Sequence, residues 1–320
     1  FIDALQSGRY DPDKVALILF QTGGGCRASN YIHLLRKALE KAGLGHVPVI
    51  SLSLAGLENH PGFQLTLPLI MKMMYGVLYG DLLMTLINQC KPYELEKGTA
   101  QALAERWTDR LAEEMTAGGK ASYRYVKANY HRILDDFAGI PMEKSDKVKV
   151  GVVGEIFVKY SPLGNNNLEQ FLVDEGAEAV IPGLLDFCLY CVYNNLLDHK
   201  LYGMQKGMQL AYKIAYRYLV DKEKDLIDAI AAHGRFTPPT LFTHTVELVQ
   251  GTISMGVKMG EGWLLTAEML ELADKGVGNI VCTQPFGCLP NHICGKGMMK
   301  PIKEKNPDVN IVAIDYDAGA

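Results

Sequence analysis

Excess basic charge is missing from this sequence: 32 Lys and Arg face 36 Asp and Glu over 320 residues, for a formal net charge of −4. With no basic stripe or arm, a surface that binds nucleic acid by neutralising phosphates is excluded. An even cysteine count is missing too. Seven cysteines cannot form a complete disulfide framework within one chain. The start, Phe1-Ile2-Asp3-Ala4-Leu5, has neither the basic nor the apolar region of a signal peptide. A reducing, cytoplasmic setting is the expectation, and there cysteines more often serve metals or redox chemistry than cross-links. Tandem repeats and low-complexity tracts are absent as well. The first residue is not Met and the end stops just after an apparent strand, so the chain reads as a fragment of something longer.

An uninterrupted membrane-length apolar run is also lacking. Leu65 to Ile87 is rich in Leu, Met and Tyr, but Pro68, Lys72, Gly76, Gly80 and Asp81 interrupt it. No aromatic belt or basic flank frames it. A buried helix or helix pair in a soluble chain is expected, with no membrane partner.

What is present is alternation of apolar runs and helical periodicity. Val15 to Phe20 is a continuous apolar run, the pattern of a strand buried on both faces. The loop Gln21-Thr22-Gly23-Gly24-Gly25-Cys26 comes next, then a helical stretch from Ala28 to Ala42 that Gly43 stops, then a strand at Val47 to Ser51. Residues 63 to 137 read as mostly helical, with breaks near Lys91-Pro92 and Ala117-Gly118-Gly119. Pro141 and Glu143 to Lys147 form the linker candidate. Beyond it, strands are expected at Val148–Val153, Ala179–Pro182, Asn279–Cys282 and Val309–Ile314. Helices are expected from Asn166/Asn167, which would cap one, to Glu175, over Leu184 to Val220, and over Glu268 to Lys275. The expected fold class is α/β: two doubly wound, flavodoxin-like or Rossmann-like domains with a helical insertion. The first spans 1–146, with the insertion at about 63–138; the second spans 147–320 and is truncated at its end.

The cysteines are the informative set. Cys26 ends the loop after the first strand, and Cys188 and Cys191 form Cys-x-x-Cys, a spacing that puts both sulfurs on one side of a helix. Cys282 is expected at the end of a strand and Cys288 in the Pro285-Phe286-Gly287 turn after it. Open α/β sheets bring the carboxyl ends of their strands to one crevice, and thiolates are the soft ligands of iron–sulfur clusters. The spacing is neither a ferredoxin run nor a paired zinc ribbon. Cys90 and Cys294 read as core-filling thiols.

The Gly23-Gly24-Gly25 loop has no Gly-Lys-Ser/Thr after it and no Gly-x-Gly-x-x-Gly fingerprint, which excludes a nucleotide P-loop of the usual kind. Glycine at Gly24 and Gly25 would instead let backbone amides pass close to a cluster, with Arg27 beside it. Glu155, after the strand at Val148–Val153, and His292 are candidates to move a proton; a capping Glu and a solvated His are the plain alternatives. Glu261, in the turn Gly260-Glu261-Gly262-Trp263, is a further candidate of the same sort, and Lys296 is a polar neighbour.

Three segments carry a family resemblance: Gln21 to Tyr31, Gly154 to Pro162 with Asn165-Asn166-Asn167, and Gln284 to His292. Together they resemble the 2-hydroxyacyl-CoA dehydratase superfamily, above all the dehydratase-like portion of large activase-related proteins of anaerobes. The resemblance implies flavodoxin-like or Rossmann-like domains around a [4Fe-4S] cluster held by three cysteines. It implies an ATP-dependent activase, as domain or subunit, that injects a low-potential electron, and a hydro-lyase reaction on an acyl-CoA through a ketyl radical. A related branch holds a double-cubane [8Fe-9S] cluster and reduces small molecules. Carried onto this chain, the ligands fall on Cys26, on the Cys188/Cys191 segment with Cys191 preferred, and on Cys288, with Cys282 as an additional ligand. The surplus of thiols leaves the double cluster, or a reductase or electron-transfer module without acyl-CoA chemistry, open beside the dehydratase. A non-catalytic scaffold with zinc or nothing at the cysteines is the third reading.

Overall fold

The computed structural model describes residues 1–21, 27–52, 65–116, 122–204 and 206–317, without the side chain of Arg27. The chain divides into two compact units, Phe1–Leu69 and Ile70–Ala320. It is mixed α/β, and both described sheets are parallel.

In the first unit, helix α1 (Ile2–Gln6) precedes strand β1 (Leu17–Phe20), helix α2 (Tyr31–Lys41) and strand β2 (Val49–Leu52). β1 and β2 pair in parallel, Leu17 opposite Val49 and Phe20 opposite Leu52. Leu5, Leu17, Ile32, Leu39, Val47 and Val49 form its core, with Ile32 and Leu39 on one stripe of α2. The apolar run around β1 reads as a strand covered on both faces, but Ile18 is 45% and Phe20 69% exposed. In this short sheet, alternate residues face outward.

The second unit holds helices α3 (Leu67–Cys90, its first residues in the other unit), α4 (Thr99–Thr116) and α5 (Tyr123–Ala138). Then come strand β3 (Val148–Gly154), three short helices α6 (Ile156–Tyr160), α7 (Pro162–Asn165) and α8 (Leu168–Asp174), and strand β4 (Ala177–Val180). The helices α9 (Leu184–Tyr202), α10 (Gln209–His233), α11 (Phe242–Leu248) and α12 (Gly262–Asp274) lead to strand β5 (Asn279–Pro285). Helix α13 (Met299–Lys305) and strand β6 (Asn310–Tyr316) complete it.

The four strands run parallel in the order β4-β3-β5-β6. The chain steps from β3 to one neighbour, β4, and then crosses to the other, β5, so the order reverses between β3 and β5. In open α/β sheets, ligands bind in the crevice outside the carboxyl ends of the strands at such a reversal. Alternate strand residues feed two cores. Val152 packs with Leu168, Leu172 and Ala179, while Val153 and Cys282 pack with Trp263, Leu264 and the large helical cluster. Helices therefore cover both faces.

The helices expected as an insertion in the N-terminal domain belong to the second core. Leu78, Leu82, Tyr130 and Phe137 join the same cluster as Val153 and Trp263, and α5 packs on α10. The division between units falls at 69/70 rather than at 146/147. The expected linker at 141–147 is pinned: Leu95 N–H donates to Pro141 O at 3.0 Å and Glu143 N–H to Tyr93 O at 2.8 Å. Helix α3 is long and apolar enough to cross a membrane by length and composition, yet one face, including Tyr75, Leu78, Leu82 and Leu86, is buried in this core.

Candidate functional site

At the sheet's reversal point, Gly154 on β3 pairs with Thr283 on β5. Gly154 has φ +148°, and a Cβ there would lie 1.9 Å from Thr283 O, so only glycine fits. Glu155 N–H then donates to Thr283 O at 3.1 Å. The Glu155 carboxylate turns back to accept the N–H of Val158 at 2.9 Å and caps α6. The proton-moving candidate is thus engaged as a helix cap.

Glu261 occupies the centre of the site. It precedes α12, is 7% exposed, and is aimed inward by the turn at Gly262, whose φ is +43° and whose Cα side is closed by Tyr190 Oη and Val257 O. Its Oε1 accepts Ile156 N–H at 3.3 Å and its Oε2 accepts Asn291 Nδ2 at 3.3 Å. Burial first, then the charge of Glu155, pushes its carboxyl up to about 7, which keeps a proton available near neutrality. Asn291 is fully buried. The same Nδ2 that reaches Glu261 donates to Cys288 Sγ at 3.2 Å, while its Oδ1 has no partner among the described residues.

Cys288 lies just past the turn closed by its own N–H on Pro285 O at 3.0 Å. Burial raises its thiol pKa, and the bonds from Asn291 oppose the rise. The charge of Glu261 also reaches Cys191 on α9 and Cys294, whose thiols burial pushes up to about 11. Asn291 thus bridges Cys288 and Glu261. α9 is seated there by Trp263 Nε1 donating to Asn194 Oδ1 at 3.0 Å and by Tyr190 Oη donating to Lys258 O at 2.7 Å. Cys294 is buried, as expected of a core thiol, and its carbonyl accepts Thr266 Oγ1 at 2.7 Å. Cys188 lies deeper, within reach of the charges of Asp81 and Asp186, and Cys90 is fully buried against α3's partners.

Cys282 is not at a strand end. β5 continues to Pro285, so Cys282 sits mid-strand opposite Val153 and Ala313. It is fully buried and its thiol is pushed up to about 12, chiefly by burial. A Cβ on Gly295 would lie 2.8 Å from its sulfur. This thiol fills core volume.

Residues 291–295 form a π turn, a local expansion often found at functional sites. It carries His292, whose Nδ1 faces Gln284 Nε2 at 3.5 Å and whose Nε2 lies 3.9 Å from Asp315 Oδ1. Lys296 reaches Asp315 Oδ2 at 3.6 Å. The hydrogen bond from Gln284, then Lys296 and His292, holds the Asp315 carboxyl below its usual range. Gln284 is fully buried and its Oε1, like Asn291 Oδ1, has no partner among the described residues.

Cys26, Gly24 and Gly25 lie outside the described residues, as does the Arg27 side chain. Flanking that loop, Gln21 is buried, accepts Ser51 Oγ at 2.6 Å and donates to Ser29 O at 2.8 Å. Among the described residues, no three His, Cys, Asp or Glu side chains stand together as a metal site. Cys191 and Cys288 alone are an incomplete iron–sulfur ligand set, chemically suited in donor type and short in number. Glu261, Asn291 and Gln284 are the residues that sequence reading undervalued. Comparison with protein-family models, curated proteins and solved structures finds no match.

Proposed function

We propose that this chain is the iron–sulfur component of an ATP-driven, low-potential system acting on an acyl-CoA, of the 2-hydroxyacyl-CoA dehydratase type. The observation that carries the reading is Cys288: a partly exposed thiol at the carboxyl end of β5, beside the β3/β5 reversal, with its sulfur hydrogen-bonded by a buried amide. The order β4-β3-β5-β6 matches the first four strands of the flavodoxin-like order, in which a ligand sits at this reversal. On this reading Cys288 and Cys191 are the ligands this unit offers the cluster and Cys282 is released to the core; Cys26, the third expected ligand, lies outside the described residues. When bound, the cluster would supply one-electron reduction at low potential. The chain's own part is to fix Cys288 through Asn291, to hold a proton on Glu261, and to place His292 and Lys296 at the rim. An activase domain or subunit would deliver the electron, and the free cysteines among the described residues suit a reducing, anaerobic cytoplasm.

A second reading is favoured by the thiols left over. Cys188 lies one turn from Cys191 on α9 and Cys294 lies in the turn after Cys288, and such surplus thiols would suit a larger double-cubane cluster in a small-molecule reductase. Anaerobic reconstitution with iron and sulfide analysis and electron paramagnetic resonance separates the readings: about four irons supports the dehydratase type and about eight the reductase. No bound iron would sink both and leave the non-catalytic scaffold. Cys288→Ala and Cys191→Ala should lose most of the iron and Cys282→Ala should keep it.

A further inference from the structure

The connection between α9 and α10 carries an exposed apolar surface. Leu201 and Tyr202 end α9, Met204 and Met208 lie in the connection, and Leu210 and Ile214 stand near the start of α10. Each is at least 49% exposed, and Leu210 is 72% exposed. Exposed apolar residues scattered singly need no explanation, but six gathered on one connection do.

The local geometry holds them outward. Gly203 closes α9 with a φ of 68°, its N–H on His199 O at 3.0 Å and the N–H of Met204 on Asp198 O at 3.3 Å. Gln209 Nε2 then donates to Asn195 O at 3.2 Å, and the Tyr193 and Tyr216 rings meet at 5.2 Å, so that α10 returns along α9. At the start of α10, Leu210, Lys213, Ile214 and Arg217 are all exposed, at the three- and four-residue spacing of one helical stripe.

The charge around this surface has one sign. Residues 199–220 hold Lys200, Lys206, Lys213 and Arg217 and no Asp or Glu, in a chain whose net charge is −4. All four cations are exposed. The carboxylate just before them, Asp198, is taken by Lys258.

A partner's amphipathic helix is received in a groove. Here every described residue from Leu201 to Met208 is exposed, which makes the connection a projection. Apolar side chains on a projection, ringed by cations, fit the boundary between anionic lipid headgroups and acyl chains. Leu, Met and Tyr enter that boundary while lysine stems carry their charge back to the phosphates. We propose that the α9–α10 connection is a membrane-surface anchor whose ligand is an anionic lipid bilayer. This is attachment without a span. The expectation of no membrane partner rests on the lack of a spanning run and does not bear on it. The anchor is independent of the iron–sulfur reading.

The test uses the full chain with vesicles of phosphatidylcholine alone or mixed equally with phosphatidylglycerol. The wild type should float with the mixed vesicles at ~0.1 M salt and not with the neutral ones, and ~0.5 M salt should release most of it. Lys206→Glu with Lys213→Glu should weaken binding by at least about thirtyfold, and Leu210→Asp with Ile214→Asp by at least about tenfold. All four positions are exposed, and an unchanged melting temperature checks that the fold is kept. In the wild type alone, bound vesicles should slow peroxide oxidation of Met204 and Met208, read by mass spectrometry, and leave Met73, exposed on α3, unprotected. A wild type that ignores the anionic vesicles, or binds the neutral ones equally, overturns the proposal. So do folded variants that bind as the wild type does, or protection of Met73 equal to that of Met204. A wild type that ignores vesicles yet forms a dimer broken by Leu210→Asp with Ile214→Asp would give the surface to a second copy and overturn it equally.

Discussion

A Cβ on Gly183 would lie 2.6 Å from Oδ2 of Asp81, a residue in the middle of α3. That oxygen is close because the Asp81 carboxylate closes the amino end of α9, accepting Leu184 N–H at 2.8 Å and Leu185 N–H at 2.9 Å. Here the helix is capped by a side chain from another helix, which is why its own Gly183 supplies no cap. Gly183→Ala should push the carboxylate away and leave both amides without partners. Asp81→Ala should do the same by deletion. Each should cost roughly 1–3 kcal/mol in urea unfolding, and unchanged midpoints in both would refute the capping role.

Burial pushes the Asp81 carboxyl up to about 6, against the opposing pull of the two amides and Lys159. Its folded pKa exceeds its unfolded one, so its contribution is full below about 4 and is lost as pH climbs through about 6. Asp81→Asn, which cannot titrate, should show a smaller drop in melting temperature than the wild type between pH ~4 and ~7. An identical slope in the two proteins would contradict this assignment.

Lys159 and Glu268 form an ion pair at 2.8 Å with each side chain 1% exposed. Removing one partner leaves an uncompensated buried charge. Lys159→Met should therefore cost about 3–5 kcal/mol, and the double change Lys159→Met with Glu268→Leu should recover most of it. A double-mutant cycle by chemical denaturation measures the difference; strictly additive losses would mean that the pair is not coupled.

Gly295 and Cys282 divide one small volume, with a Cβ on the glycine 2.8 Å from the sulfur. Gly295→Ala should destabilise by about 1–3 kcal/mol through overpacking. Adding Cys282→Ala should relieve part of that loss, because it removes the sulfur that the methyl meets. If the double variant is less stable than the sum of the two singles, the two residues do not share this space.

The legible parts of this fold are those where apolar runs speak for themselves: Val148 to Val153 reads as a strand and forms β3. The helix break near Pro92 is legible for the same reason, since the periodicity simply stops there. Strand β5 is longer than its sequence suggests, because Thr283-Gln284 looks like an exit from the core. Both are fully buried, with Thr283 Oγ1 donating to Val153 O at 3.1 Å and Gln284 Nε2 to Asp315. Polar residues satisfied by partners so distant in sequence carry no local signal of burial, and for that reason Cys282 reads as a strand end when it is mid-strand. Asn167 takes the N-cap position of α8, as the sequence suggests, but in a left-handed conformation with no side-chain cap bond. The capping acceptor comes instead from Asn165, whose Oδ1 accepts Leu168 N–H at 3.1 Å. In sequence Glu261 is a weaker proton-moving candidate in a turn, and its central place is not legible because Ile156 and Asn291 reach it from beyond the ends of separate strands.

The π turn at Asn291–Gly295 holds one residue more than an α-helical turn over the same path, closed by Lys296 N–H on Asn291 O. Deleting a single residue there would restore α spacing and rotate the residues beyond it by about 100°. Asn291 would keep its grip on Cys288, while Cys294, whose carbonyl accepts Thr266 Oγ1 at 2.7 Å, would swing out of its seat under α12. This stretch is therefore constrained by its length as much as by its letters, and a variant with every site residue intact but one residue fewer would have a differently assembled crevice.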